Sequence, residues 1–259
     1  MPHWTQEFAD YLDQHHHEHP GVTEEVLRRS LAGHHTPYSW LARAVSSRAL
    51  TVLDIGCGSG AMSRDLARPG RVVIGLDLST TELLQAARRG PGPWLRADAR
   101  HLPLGDESVD AVVSTLGLAV IHPLAAWLDE VHRVLKPGGL LAALTPTFGP
   151  LSPADTRVAM QLLRTLRMKP VFPVGIELAS RQVLAESGLR KIEDNRERYR
   201  FVVRSRADAD LLLSALYLPG IEPRRLDRAG AWLARRVASE GEVAVPIPMR
   251  RLVAMKPVS

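Results

Sequence analysis

The sequence predicts an α/β fold built from strand–turn–helix units, and three observations carry that prediction. The apolar run at residues 50–55 reads as a buried strand. Three glycines at alternate positions follow it, Gly56, Gly58 and Gly60. A helix-competent segment then runs over 61–68, until Pro69-Gly70 stops it. Strand, glycine turn and helix make the first unit of a nucleotide-binding α/β sheet.

The glycines let the backbone approach a ligand closely and take positive φ. The spacing Gly56-x-Gly58-x-x-Ala61 also fits the dinucleotide fingerprint. Asp54 separates two readings. It stands two residues before Gly56, close to where a dinucleotide's pyrophosphate sits, and a carboxylate there repels phosphate. It suits a ligand carrying an ammonium and a sulfonium and no phosphate, S-adenosyl-L-methionine (SAM). The stretch Val52-Leu-Asp-Ile-Gly-Cys-Gly-Ser-Gly60 closely resembles the first motif of class I SAM-dependent methyltransferases. The likeness is to their small-molecule branch (type 11), which includes the ubiquinone/menaquinone-type enzymes. The resemblance implies that Asp54, Gly56, Cys57, Gly58 and Gly60 bind the cofactor.

The chain has 259 residues, ample for a buried core, and reads as one large domain or a domain with a cap. No apolar run approaches the roughly 20 residues that a membrane span needs, and the first residues show no signal pattern. The expected location is the cytoplasm. Cys57 is the only cysteine, so neither an internal disulfide nor a cysteine-based metal cluster is expected. The net charge of +5 comes from dispersed arginines with no interleaved aromatic run, so nucleic acid is not the expected partner. Oligomeric state is not legible.

Ahead of the loop, Phe8, Tyr11 and Leu12, with Trp4, have helical spacing in residues 1–20. His15 and His19 lie four apart and have the spacing of two ligands on one helix face, but nothing nearby completes a metal site, so a solvated helix end is expected. Residues 23–31 read as a second helix with Thr23 as N-cap, and 39–47 as a third. In related enzymes such leading helices lie over the cofactor, which makes Tyr38 and Trp40 contact candidates beside their alternative role in the core.

Beyond the loop, 72–76 is the second strand, ending at Asp77. Ser79-Thr-Thr-Glu82 is a capping box that opens a helix to about residue 89. Asp77 follows Gly56 by 21 residues, which puts its carboxylate at the strand tip, able to accept from both ribose hydroxyls, with Leu78 beside it. Residues 94–97 form the third strand. Asp98-Ala99 after it resembles the family's third motif, which meets the adenine. Residues 105–108 read as a turn, and 110–115 as the fourth strand, where Ser114 is a further expected cofactor contact. Ser114-Thr-Leu-Gly-Leu118 replaces the Asn/Asp-Pro-Pro of base-methylating branches, which argues against that chemistry.

Residues 123–135 form a helix with Leu124, Leu128, Val131 and Leu135 on one face. His132-Arg-Val-Leu-Lys-Pro-Gly-Gly-Leu-Leu141 is a second family match, in which 136–139 turn the chain into a fifth strand at 140–144. Later, helices are expected at 153–168, 177–187, 208–218 and 226–238, with strands at 191–203 and 243–255. Pro246 and Pro248 suit an edge or strand-entry position in the last.

The resemblance implies a doubly wound, seven-stranded, mostly parallel, Rossmann-like sheet with a helical cap. Residues 1–47 would be the leading cap, 48–146 the SAM-binding core, and 147–259 the rest of the sheet with inserted cap helices, in one structural domain. The implied reaction is in-line attack of an O, N or C nucleophile on the methyl of SAM, releasing S-adenosyl-L-homocysteine (SAH). The partner would be a small acceptor. An apolar or aromatic one is suggested by Trp4, Trp40, Phe148, Met160, Met168, Phe172 and Trp232, although these side chains equally suit a cap core. His122, after the fourth strand and before Pro123, is the expected general base if one is used, placed at a helix N-cap; His34, His35 and His101 are weaker candidates. No metal is expected. Three alternatives stay open: an RNA or protein methyltransferase, a SAM-binding cyclase that does not methylate, and an NAD-dependent oxidoreductase, which Asp54 disfavours.

Overall fold

The computed structural model describes residues 6–168 and 174–258. In chain order the elements are α1 Gln6–Glu18, α2 Val22–Arg29, β1 Ser30–Leu31, α3 Pro37–Ala42, β2 Thr51–Ile55, α4 Ala61–Leu66, β3 Val72–Asp77, α5 Thr80–Arg89, β4 Trp94–Arg96 and β5 Val109–Thr115. They continue with α6 Gly117–Val120, α7 Leu124–Val134, β6 Leu135–Pro146, α8 Pro153–Leu166, α9 Val174–Glu186, β7 Arg190–Val203, α10 Arg206–Ser214, α11 Pro223–Glu240 and β8 Val243–Met255.

The sheet has eight strands in the order β1-β7-β8-β6-β5-β2-β3-β4. The pairs β2–β3, β2–β5, β3–β4 and β5–β6 are parallel, and β1–β7 is antiparallel. The mostly parallel α/β architecture matches the expectation, with one strand more than the seven predicted. The extra strand, β1, falls where the sequence suggested a helix end. Its two residues are extended because Ser30 and Leu31 pair with Phe201 and Arg200.

Strands β2, β3 and β4 step outward in one direction, and the chain then returns to lay β5 on the other side of β2. The strand order reverses between β2 and β5. In open α/β sheets that reversal opens a crevice beyond the carboxyl ends of the strands, where ligands bind. The glycine loop leaves the carboxyl end of β2 and therefore stands at that crevice.

The chain divides into two compact units. One comprises Met1–Pro37, Phe148–Phe172 and Glu197–Met249; the other comprises Tyr38–Thr147, Pro173–Arg196 and Arg250–Ser259. The second carries the glycine loop. Its core packs Leu53, Ile55, Leu76, Val112, Trp127, Leu128 and Leu141. The alternation of buried apolar residues in β2 and β5 is nearly absent, as strands covered on both faces require. The first unit has its own core, built on Val26, Leu162, Phe201, Leu212, Leu233 and Val243.

Several local expectations are corrected. Gly21, at φ 74, caps α2, and Thr23 lies inside the helix with its hydroxyl 3.4 Å from the Tyr217 hydroxyl. Residues 136–139 are not a clean turn between helix and strand but an excursion within β6. The register jumps there from Val109↔Leu135 to Ala111↔Leu140, with Gly138 at φ 77. A side chain at Gly139 would strike the Lys136 carbonyl at 2.8 Å. Strand β8 lies between β7 and β6, not at an edge. Pro246 and Pro248 stand two apart, so both missing N–H groups face the same side of the strand and the ladder on its other side keeps its donors.

His15 is buried, not solvated. Its ring lies 5.1 Å from that of Tyr217, 5.7 Å from Tyr11 and 5.4 Å from His19. Among the described residues no group of three or more His, Cys, Asp or Glu is placed to hold a metal. No helix among them is long and apolar enough to cross a membrane.

Candidate functional site

The glycine loop is stitched to the neighbouring strand before it meets any ligand. The N–H groups of Gly56 and Cys57 both donate to the Leu76 carbonyl of β3, at 2.8 and 3.0 Å. Gly56, Gly58 and Gly60 have φ of 67, 52 and 82°, where a side chain is strained. Their surroundings differ. Space is open where a Cβ on Gly56 would point, whereas one on Gly60 would meet Trp94 Cη2 at 2.7 Å. The first glycine thus leaves a free face, and the third lets α4 close on Trp94.

Asp77 ends β3, where the sequence placed it. Its Oδ2 accepts from the Gly58 N–H at 2.8 Å and its Oδ1 from the Ser79 N–H at 2.9 Å. Both of its oxygens thus face backbone donors of the loop and of the α5 cap. Leu78, next to it, is 56% exposed.

Asp54 does not reach the open face. It is 0% exposed, on β2 beneath the loop, and its Oδ2 accepts from the Ser63 hydroxyl of α4 at 2.7 Å. Among the described residues no donor reaches its Oδ1. Burial, reinforced by Asp77, pushes its carboxyl up to about 7 against the opposing bond from Ser63. Cys57 is also buried, and burial with the charges of Asp54, Asp77 and Glu82 pushes its thiol well above the ordinary range. It is neither nucleophile nor ligand here.

Glu82 was legible in the sequence only as a capping residue, and its backbone N–H does bond the Ser79 hydroxyl at 3.4 Å. Its carboxylate has a second position: a Cβ on Gly58 would lie 3.7 Å from Glu82 Oε2. Three carboxylates therefore surround the loop. Arg64 also approaches, with Nη1 bonded to the Ser59 carbonyl at 2.7 Å.

Other expected contacts are engaged elsewhere. Ser114 is fully buried and donates its hydroxyl to the Ile55 carbonyl at 2.7 Å, so it ties β5 to β2 rather than facing outward. Ala99 packs in the core. Tyr38 and Trp40 are buried, and Trp40 carries the Arg251 guanidinium 4.7 Å over its ring. Trp232 packs against the first unit's core with Met168, while Phe148 and Met160 are exposed. Trp4 and Phe172 lie outside the described residues. Asp98 follows β4 as expected, but Arg100 grips it. Arg100 Nη2 reaches Oδ2 at 2.6 Å and Nε reaches Oδ1 at 2.9 Å.

His122 is not an N-cap. Pro123 holds that position, with extended ψ of 137°, and α7 begins at Leu124. His122 precedes the cap and is half-buried. Burial lowers its pKa from the ordinary value, opposed by a hydrogen bond from the ring to the Ala119 backbone. The short α6 before it went unforeseen. Its N-cap is Leu116, whose φ of 70° is unusual for a branched side chain.

Residues 53–143 match the family model described as a methyltransferase domain. The demethylmenaquinone methyltransferase of Beutenbergia cavernae is 40% identical over 103 residues, 38% of this chain and 43% of that one. The malonyl-[acyl-carrier protein] O-methyltransferase of Pectobacterium atrosepticum is 40% identical over 114 residues, 43% of this chain and 45% of that one. The chain thus spans less than half the length of these curated relatives. Among solved structures, a putative type II methyltransferase from Anaeromyxobacter dehalogenans superposes with TM-score 0.62 at 22% identity, covering 85% of this chain and 94% of that one. The [4+2]-cyclase SpnF superposes with TM-score 0.52 at 20% identity, covering 85% and 82%. The likenesses to solved structures carry the fold alone, a Rossmann-like α/β sheet.

Proposed function

We propose that this chain, with a methyltransferase domain at residues 53–143, is an enzyme that transfers the methyl group of SAM to a small-molecule acceptor. The observation that carries the reading is the acidic surround of the glycine loop. Asp54, buried with an unpartnered oxygen, Asp77 and Glu82 make that loop hospitable to a cation and hostile to a pyrophosphate. SAM brings an electrophilic methyl on a sulfonium. In this reading Asp77 accepts from ribose hydroxyls, Gly56 leaves room for the ligand, and Asp54 acts through its field from below rather than by contact.

His122 supplies the base where the acceptor must lose a proton. Burial lowers its pKa and so favours the neutral ring, the form a base needs. The ring is oriented by its hydrogen bond to the Ala119 backbone. The acceptor class is a small, apolar or aromatic metabolite, in keeping with a relative named for demethylmenaquinone. Nucleic acid is disfavoured because much of the basic charge is spent internally. Arg28, Arg100, Arg133, Arg198, Arg206, Arg225, Arg236, Arg250 and Arg251 all form ion pairs. The proposed location is the cytoplasm.

The test is turnover with methyl-labelled SAM, using demethylmenaquinone and a malonyl thioester as first acceptors. Label in the small-molecule product with equal SAH release is the expected result. Label entering RNA or protein instead would replace the acceptor class. Acceptor conversion without SAH release would favour a cyclase.

A further inference from the structure

Asp98 and His122 stand on different loops, one after β4 and one before α7, and a single side chain joins them. The Arg100 backbone N–H and Nε donate to Asp98 Oδ1, each at 2.9 Å. Nε and Nη2 donate to Oδ2 at 3.0 and 2.6 Å. The remaining arm, Nη1, donates to the His122 carbonyl at 3.2 Å. The segment beyond Arg100 is fastened to α7. Glu130 accepts from the Leu102 N–H at 2.7 Å, and Arg133 donates to the Leu102 carbonyl at 3.1 Å. The backbone that carries Arg100 is thereby held while its guanidinium spans the two loops.

We infer that Arg100 is a positioning residue that couples occupancy of the adenine end of the cofactor site to the loop carrying His122. The inference rests on the methyltransferase reading above. Three N–H groups of Arg100 face Asp98, and the Nε–H is shared between both oxygens. A ligand amine that bonds Asp98 competes with that shared guanidinium contact. A planar guanidinium cannot give up one contact and leave the rest of its fork unchanged. The partner that adjusts is the His122 carbonyl, on the opposite arm. Paired with Asp98, the Arg100 guanidinium is largely neutralised, and burial lowers the pKa of the imidazole against its bond to Ala119. With Asp98 drawn to a ligand, the guanidinium is less neutralised and disfavours protonation of the ring. The charged groups joined to this segment are Asp98, Arg100, Glu130 and Arg133, with His101 adjoining, and Arg100 alone of these bonds the His122 loop among the hydrogen bonds described. By linkage, a ligand at His122 alters adenine affinity by the same factor.

The experiment follows the imidazole of His122 by NMR titration of ring-labelled histidine, with its resonance identified from His122→Gln. SAH is the probe, since it lacks the sulfonium charge. In the wild type SAH should lower the midpoint by about half a unit, roughly threefold in proton affinity. In Arg100→Gln the midpoint should not move, although SAH still binds. Arg100→Lys can hold Asp98 as a point charge but has no second arm, so it should behave like Arg100→Gln; a residue that merely braced Asp98 would be rescued by lysine. An equal shift in Arg100→Gln, or none in a wild type that binds SAH calorimetrically, overturns the coupling and leaves the methyltransferase reading intact. No heat with SAH in the wild type overturns both.

Discussion

The carboxylate of Asp77 clamps the glycine loop, accepting the Gly58 N–H at 2.8 Å while the Ser79 N–H holds its other oxygen. One residue thus shapes the loop and faces the site expected for the ribose. Asp77→Ala should cost about 1.5–3 kcal/mol of SAH affinity, read by calorimetry. Asp77→Asn keeps one acceptor and should lose less. Unchanged affinity in Asp77→Ala, with a sharp fall in melting temperature, would make Asp77 a structural clamp only.

The glycines should separate stability from binding. Gly60→Ala forces a Cβ to within 2.7 Å of Trp94 and 3.2 Å of the Ala86 Cβ, at φ 82°. It should destabilise by more than the roughly 1–2 kcal/mol that a left-handed L-residue costs. Gly56→Ala has open space and should lose about that amount alone, while narrowing the face offered to SAH. Equal melting temperatures for the two variants would contradict this placement.

Asp54 sets a pH dependence. Its carboxyl is raised to about 7, above the ordinary 3.8. Between those values the folded state binds more protons than the unfolded, so stability falls as pH rises from about 4 to 7 and levels off above. Asp54→Asn should flatten that slope and raise the melting temperature at pH 8. It should also weaken SAM more than SAH, because only SAM carries the sulfonium. Equal losses for both ligands would mean that Asp54 does not sense that charge.

His122→Ala should slow methyl transfer about 10²–10⁴-fold once an acceptor is in hand, and leave SAH affinity intact. It should also remove the acidic limb of the pH–rate profile. Near wild-type turnover at pH 7 would reduce His122 to a loop residue.

The parallel core was legible because its signals are local. The apolar run before Gly56, the box Ser79-x-x-Glu82 and the spacing to Asp77 each lie within one strand–turn–helix unit. What escaped depends on distant partners. Ser30 and Leu31 are a strand only because Phe201 and Arg200 lie opposite. Ser114 looks available in sequence, but its hydroxyl is taken by Ile55 on the adjacent strand. Asp98 was readable as an acid after β4, whereas nothing in the spacing tells that Arg100 fills its oxygens and reaches His122. Asp54 was readable as an acid beside the glycine loop, but not as one buried beneath it and bonded to Ser63. Glu82, read only as a cap, stands beside the same loop.

Calorimetric titration with SAH and NAD in parallel tests the cofactor assignment most directly. The acidic surround of the glycine loop predicts SAH binding in the micromolar range, about −8 kcal/mol, and no heat with NAD. Heat with NAD and none with SAH would contradict it.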